Sequence, residues 1–442
     1  MPDEPNIVVF KKLYSKIAEA LSVGAPTGVP GQNYLSLCNP GILIDPSLKV
    51  TSDVSAQQTW GSILDNVPEP NWVYTPTNTF ISSIYDQVLE GKELPDIGLT
   101  KTQKEKLTEA QALVMTPERK PTPTFNAYME YQSVYLTALA AYQTAQATSI
   151  NTGQPVPAAL QTALNQARSN WNTFGAKGQV EAAQATIRNL SQLDPNRWWS
   201  QLQDAYENTS ITPPGGAPFE PSTTYPDYSW FSGQKGWTNF TFTQTDVNNQ
   251  AASSAVEAGG GVSANWGLWR VSASADYTKG TQTSSSDTTG ISVSMDLMRG
   301  TIRRTWLDPL VFRAHTWRLS KASPLYSSLI SNGTFTPGEA NAGVMPLLPT
   351  GILVARNVQI AAQFSHEDQT TIEKALSTGA SVGWGPFSIQ GHYNQLESSS
   401  VSHGSATATT ISNADPQILG FFCDVLPLSP SPDPTLPWPV TV

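Results

Sequence analysis

Six cations, Arg299, Arg303, Arg304, Arg313, Arg318 and Lys321, fall within 23 residues and face a single acid, Asp308. Guanidinium forks bind carboxylate and phosphate, so this segment suits an anionic ligand, lipid headgroups or the acidic surface of a second copy of the chain. The plainer alternative is a set of internal salt bridges, with the aliphatic stems lying over Trp306 and Trp317. Among the binding options, subunit contact fits best, because the chain as a whole carries a net charge of -10. The same acidity repels nucleic-acid phosphates and argues against a general DNA or RNA partner.

The remaining reactive side chains are sparse. There are four histidines, His315, His366, His392 and His403. His366 precedes Glu367 and Asp368, but neighbouring side chains on an extended segment point in opposite directions, so a surface turn explains the trio better than a metal does. Ser402 and His403 could pair a nucleophile with a base, yet no acid stands near in sequence to orient the imidazole. Residues 259–264 satisfy Gly-x-Gly-x-x-Ala, but an expected helix precedes them and a strand follows, the reverse of a dinucleotide site. Phosphate-binding loops, nucleophile elbows, zinc helices and EF-hand loops are missing. The expectation is therefore no catalytic residue, no metal and no cofactor. Two cysteines, Cys38 and Cys423, exclude a disulfide framework and leave one long-range bridge open.

The most regular pattern is an alternation of apolar residues with Ser or Thr. Trp269, Val271, Ala273 and Tyr277, continued by Ile291, Val293, Met295 and Leu297, would share one face of a hairpin spanning 262–297. Arg270, Ser272, Ser274, Asp276, Ser292, Ser294 and Asp296 would share the other. A strand that crosses a bilayer needs roughly 9–11 such residues, and the tip at 279–290 is polar. A half-wet sandwich strand shows the same alternation and is the commoner outcome.

A second version of this pattern occupies 381–393 and 411–412, with Trp266-Gly267 matching Trp384-Gly385 and Ile291-Ser292 matching Ile411-Ser412. An expected strand and helix precede each version, at 240–245 and 247–257 and again at 358–364 and 370–376. Two strand-helix-hairpin repeats, about 237–322 and 350–427, follow from this. The second breaks its alternation at Gly391 and carries Pro386, so the first is the better candidate for insertion in lipid.

These residues need a frame to hold them. Phe10, Leu13, Ile17 and Leu21 predict an opening helix, followed by a Gly- and Pro-rich loop to about residue 55. Short helices are expected at 55–65 and 78–91, and another after Thr100 or Thr102 as N-cap. Tyr128, Tyr131, Tyr135 and Tyr142 on one segment, and Leu160, Leu164, Trp171 and Phe174 on the next, predict two long helices folded back antiparallel about the turn at 151–157. Helices at 176–191 and from Pro195 complete the series. A Pro-Gly stretch at 213–222 marks a boundary.

The chain of 442 residues is 14% charged and 9% aromatic, which is the composition of a folded protein. The expected class is α+β, with a helical bundle over 1–212 and a β-rich sandwich or mixed sheet over 213–442. A Pro-rich extended tail should end it, packed on its own domain or on a neighbour. Residues 1–6 lack the basic and apolar regions of a secretory signal, and no apolar run approaches the roughly 18 residues of a membrane helix, so cytoplasmic synthesis is expected, with any release by another route.

Three functional classes remain. The first is a non-enzymatic structural protein that assembles as a homo-oligomer. The second is a β-pore-forming protein that inserts the 262–297 hairpin into a membrane. The third is a glycan-binding module using Trp230, Trp237 and Trp438 to stack on sugar rings.

Overall fold

One long antiparallel sheet organises the chain. The computed structural model describes residues 5–21, 33–117, 120–152, 155–191, 194–249, 268–272, 281–284, 289–334, 343–364, 366–378, 380–393, 401–407 and 409–439. The class is mixed α+β.

The helices are α1 (Pro5–Ala20), α2 (Val54–Leu64), α3 (Ile81–Gly91), α4 (Lys101–Val114), α5 (Pro123–Thr152), α6 (Ala158–Thr173), α7 (Lys177–Ser191), α8 (Pro195–Thr209), α9 (Gln244–Asn249) and α10 (His366–Ser377). Local chemistry sets several of their starts. Asp53 accepts the Ser55 and Ala56 amides, and Thr100 forms a capping box with Gln103. Asp194 caps α8 just ahead of Pro195, whose missing N–H costs nothing at a first turn.

The strands are β1 (Asn33–Leu43), β2 (Thr223–Tyr225), β3 (Thr238–Thr243), β4 (Leu268–Ser272), β5 (Thr281–Ser284), β6 (Thr289–Arg303), β7 (Leu347–Gln363), β8 (Ser381–Trp384), β9 (Phe387–His392), β10 (Val401–Ser402), β11 (Ser405–Ala406), β12 (Thr410–Asn413) and β13 (Gln417–Val425), with a few shorter pairs beside them. In the main sheet β6 and β7 pair along their length. On the far side of β6 lie β2 and β3, and on the far side of β7 lie β12 and β13. Outside these, β1 pairs with β13 and β11 with β12. A smaller sheet has the order β10-β9-β8-β4-β5.

Two rows of residues cross four strands of the main sheet. Phe242, Val293, Ile360 and Ile411 are in register and buried, while Thr241, Ser294, Gln359 and Ser412 form the next row on the opposite, wetter face. This is the alternation of apolar with Ser or Thr seen in the sequence, now placed against a core.

That core includes α1, β1, α2 and the main and smaller sheets, through residues such as Phe10, Ile17, Trp60, Trp72, Val293, Ile360, Trp384 and Phe422. A second cluster joins Tyr85, Val88, Trp198 and Trp199 of α3 and α8 to Trp306, Phe312 and Trp317. A small third cluster, around Tyr128, Trp171 and Val180, ties α5, α6 and α7 together. Tyr128 and Tyr135 pack on Trp171 with ring centroids 5.5 and 5.3 Å away, whereas Phe174, expected on the same seam, is 62% exposed at the end of α6.

Two expectations need correction. The segment expected as loop before residue 55 contains β1, whose Tyr34, Leu35 and Leu37 are buried against β13; the Pro and Gly at its centre fall where the register shifts, between Leu37 and Ile42. The 262–297 segment is not one hairpin either. β4 pairs with β5 and β8, while Ile291, Val293, Met295 and Leu297 lie on β6 in the other sheet. Alternation specifies which face a side chain takes but not which strand it meets, and Thr281–Ser284 inside the expected tip is the nearer partner. Of the expected helix at 247–257, the structure describes α9 to Asn249. Ala273 and Tyr277 lie outside the described residues.

Candidate assembly and membrane-insertion site

The register that builds the main sheet also frames two insertions. Thr243 pairs with Ser292, Ser292 with Ala361, and Ala361 with Thr410, so these residues form one row at one end of four consecutive antiparallel strands. Residues 244–291 leave between β3 and β6, and residues 362–409 leave between β7 and β12; each segment is 48 residues long. Each begins with a helix, α9 or α10, and then supplies strands to the smaller sheet. There the two segments meet, with Ser272, Val271, Arg270 and Trp269 in register with Ser381, Val382, Gly383 and Trp384.

The smaller sheet is docked by both apolar and polar contacts. Val382, Phe387 and Ile389 are buried, and Trp384 meets Phe10 of α1 edge-on with centroids 4.7 Å apart. Gly385 sits at φ +53°, and a Cβ there would lie 2.2 Å from the Phe10 ring, so both backbone and space demand glycine. Two buried amides reach across from the main sheet. Gln417 accepts the Ser388 amide at 2.7 Å and donates to its carbonyl at 3.1 Å, while Asn413 donates to the Ile389 carbonyl at 2.8 Å and to the Ser402 hydroxyl at 3.0 Å. Ser388 itself donates to the Gly41 carbonyl. These bonds orient the sheet rather than drive its docking, because each replaces a bond to water and nets about 1 kcal/mol.

The β6 part of the candidate hairpin's apolar face turns inward. Ile291, Val293, Met295 and Leu297 are all buried in the main core, and Trp269 and Val271 lie on β4.

The basic segment is dispersed by the fold. The Arg299 guanidinium lies 4.2 Å from the Phe422 ring centroid, and that of Arg303 lies 4.6 Å from Tyr225. Arg304 donates to the Pro349 carbonyl at 2.7 Å and the Leu64 carbonyl at 2.6 Å, and burial lowers its pKa to about 10 despite Asp65 nearby. Arg318 pairs with Glu93, donates to the Pro439 carbonyl and covers the Trp438 ring. Arg313 and Lys321 are exposed. The structure thus spreads these six over the sheet, the second core and the tail.

The other candidates are also separated. Trp230 is partly exposed in a 3₁₀ turn; Trp237 lies beneath Arg356 and donates to the Gly233 carbonyl; Trp438 lies in the tail. Ser402 is buried while His403 is exposed. His366 opens α10, His392 ends β9, and His315 contacts the Ser431 carbonyl at 2.6 Å. The tail packs on its own chain, through Leu428–Ser429 paired with Ser331–Asn332 and through Asp433. Cys38 and Cys423 are unbridged, and burial pushes both thiols up, away from reactive thiolate. Among the described residues no His, Cys, Asp and Glu cluster could hold a metal, and no helix is long and apolar enough to cross a membrane.

Sequence reading missed the two amides that dock the smaller sheet. Asn413 and Gln417 carried only a weak signal, lying at or just before the edge of the apolar run 417–425.

Compared with protein-family models, with curated proteins and with solved structures, the chain matches none.

Proposed function

We propose that the chain assembles with copies of itself and that residues 244–291 and 362–409 unroll as β-hairpins into a lipid bilayer. The observation that carries this reading is the single row Thr243, Ser292, Ala361 and Thr410, from which both 48-residue segments depart between already paired antiparallel strands. Extending those pairs lengthens the sheet at the cost, within it, of the two-residue pair between β11 and β12 at its margin. Half of each segment exceeds the roughly 9–11 residues that cross a bilayer at the usual tilt.

Equal lengths and matching order, strand, helix, small-sheet strands, strand, also support the reading of two repeats, and they extend insertion to the second segment. The cost is the small-sheet core, including Trp384, Phe387 and Ile389, which lipid burial would offset. Self-assembly is part of the same reading. Two hairpins from one copy leave sheet edges whose N–H and C=O groups cannot stay unpaired in hydrocarbon, so several copies must close a barrel. No chemical reaction is required of the chain.

The test is a staple between the segments. Ser272→Cys with Ser381→Cys places cysteines at paired positions of β4 and β8. Oxidised, this variant should release no dye from liposomes, and reductant should restore release to the parent's level. Unchanged release from the fully oxidised variant, shown by mass, would sink the unrolling. No release by the parent from zwitterionic, anionic or sterol-containing liposomes would sink membrane insertion and favour assembly alone.

A further inference from the structure

Strand β3 forms one margin of the four strands, and its outward groups are covered by a pair of charges. Lys16 of α1 donates to the Thr241 carbonyl at 2.8 Å and pairs with Asp246 of α9 at 2.7 Å. Asp246 uses its other oxygen to accept the Thr243 amide at 2.7 Å and hydroxyl at 3.1 Å. The two side chains are 11% and 10% exposed, and the Lys16 ammonium also lies 5.7 Å from the Phe240 ring centroid. Thr241 and Thr243 have the same parity, so this C=O and this N–H point to the same side of the strand, where an incoming strand would bond.

We infer that Lys16 and Asp246 form a clasp over the β3 margin, and that release of residues 244–291 opens this margin to β12 of a second copy. The inference rests on the unrolling proposed above. Asp246 belongs to the segment that leaves, whereas Lys16 stays with a buried helix. Departure of Asp246 therefore frees the Thr243 amide and the partner of Lys16 in one step, tying exposure of the edge to insertion.

The occupant follows from strand direction. Each neighbour among β3, β6, β7 and β12 is antiparallel, so β3 and β12 at the two margins run oppositely. A second copy placed side by side thus sets its β12 antiparallel to β3, continuing the existing order, and four strands per copy keep the total even when a ring closes. On β12 the outer side carries the two-residue β11, which itself belongs to the segment 362–409. Thr241 and Ser412 lie on one row of the same face, so the wet face remains continuous from copy to copy.

Single-cysteine chains test the contact. Asn239→Cys or Thr241→Cys chains are mixed in turn with Thr410→Cys or Ser412→Cys chains, which covers small shifts of register, and are oxidised on liposomes after dye release. At least one mixture should yield a disulfide-linked dimer that neither chain forms alone and that the parent, with its two buried cysteines, does not form. Release without a mixed dimer in all four mixtures overturns the inference while leaving pore formation standing; no release overturns both. Lys16→Met supplies a second readout, with onset of release expected several-fold faster than the parent's at equal protein and lipid. Onset no faster, in a variant with the parent's circular dichroism, counts against the clasp even where a dimer forms.

Discussion

Along β7 the protein changes how it is held. From Leu347 to Arg356 nearly every residue is buried, because the sheet there has β13 and β6 beside it and protein on both faces; from Asn357 onward burial alternates. The change coincides with a register shift between Arg356 and Gln359 and with Asn357 at φ 52°, a bulge that bends the strand and its neighbours. Arg356 braces this point, donating to the Gly233 carbonyl at 2.5 Å, stacking on Trp237 and lying 3.6 Å from Asp296, which also accepts from Asn357. One half of the sheet is thus a two-sided core, and the other is a one-sided sheet that carries the two insertions. The first half is packed on both faces, and the proposed unrolling would lengthen only the second.

Substitutions should separate the halves. Arg304→Ala, in the two-sided half, removes two hydrogen bonds to enclosed carbonyls and leaves Asp65 without its cation. A loss of about 3–5 kcal/mol in chemical unfolding is expected, and a loss under 1 kcal/mol would mean that this half is not rigidly packed.

The next effect depends on pH. Burial raises Asp65 to about 6, with Ser82 and Arg304 opposing, and raises Asp424 to about 6, with Arg313 and Arg299 opposing. The folded state therefore binds these protons more tightly than the unfolded chain, whose carboxyls titrate near 4. The resulting destabilisation is full above pH 6 and disappears below 4, so stability should rise as pH falls between those values, by on the order of 2 kcal/mol per group. Asp424→Asn should flatten the slope; an unchanged slope would remove Asp424 from the account.

Smaller effects lie toward the bend and beyond it. Arg356→Ala should cost about 1–3 kcal/mol through its hydrogen bond and ring contact, and faster hydrogen exchange in β3 and β12 than in β13 would accompany it. Ser294→Ala, on the open row, should change stability by no more than about 0.5 kcal/mol. A larger cost there would mean that the wet face is covered, erasing the distinction between the halves. Val293→Asp, which the hairpin pattern suggests as a lipid test, instead buries a charge in the core and should unfold the protein before lipid is met.

Much of this is visible in the residues themselves. The helices follow from spacing and caps: Thr100 with Gln103 and Asp194 with Pro195 both act within a few positions. The faces of β6 and the later part of β7 follow equally from alternation. The basic segment was legible as a cluster only along the chain, because long arginine side chains on a twisting strand and loop reach different partners, Phe422, Tyr225, Leu64 and Glu93. The clasp was hidden because an ion pair between Lys16 and Asp246 leaves no local pattern.

By itself the sequence determined the α+β class, most helix ends and which side chains of the alternating strands turn inward, since these depend on neighbours within one or two turns or on a period of two. Tertiary structure alone decided that β1 completes a sheet made largely of later strands and that the two halves of the expected hairpin join different sheets. It also decided that both insertions leave from one row. Strand partners are chosen by long-range packing and closure, and a period-two pattern is the same whichever partner it meets.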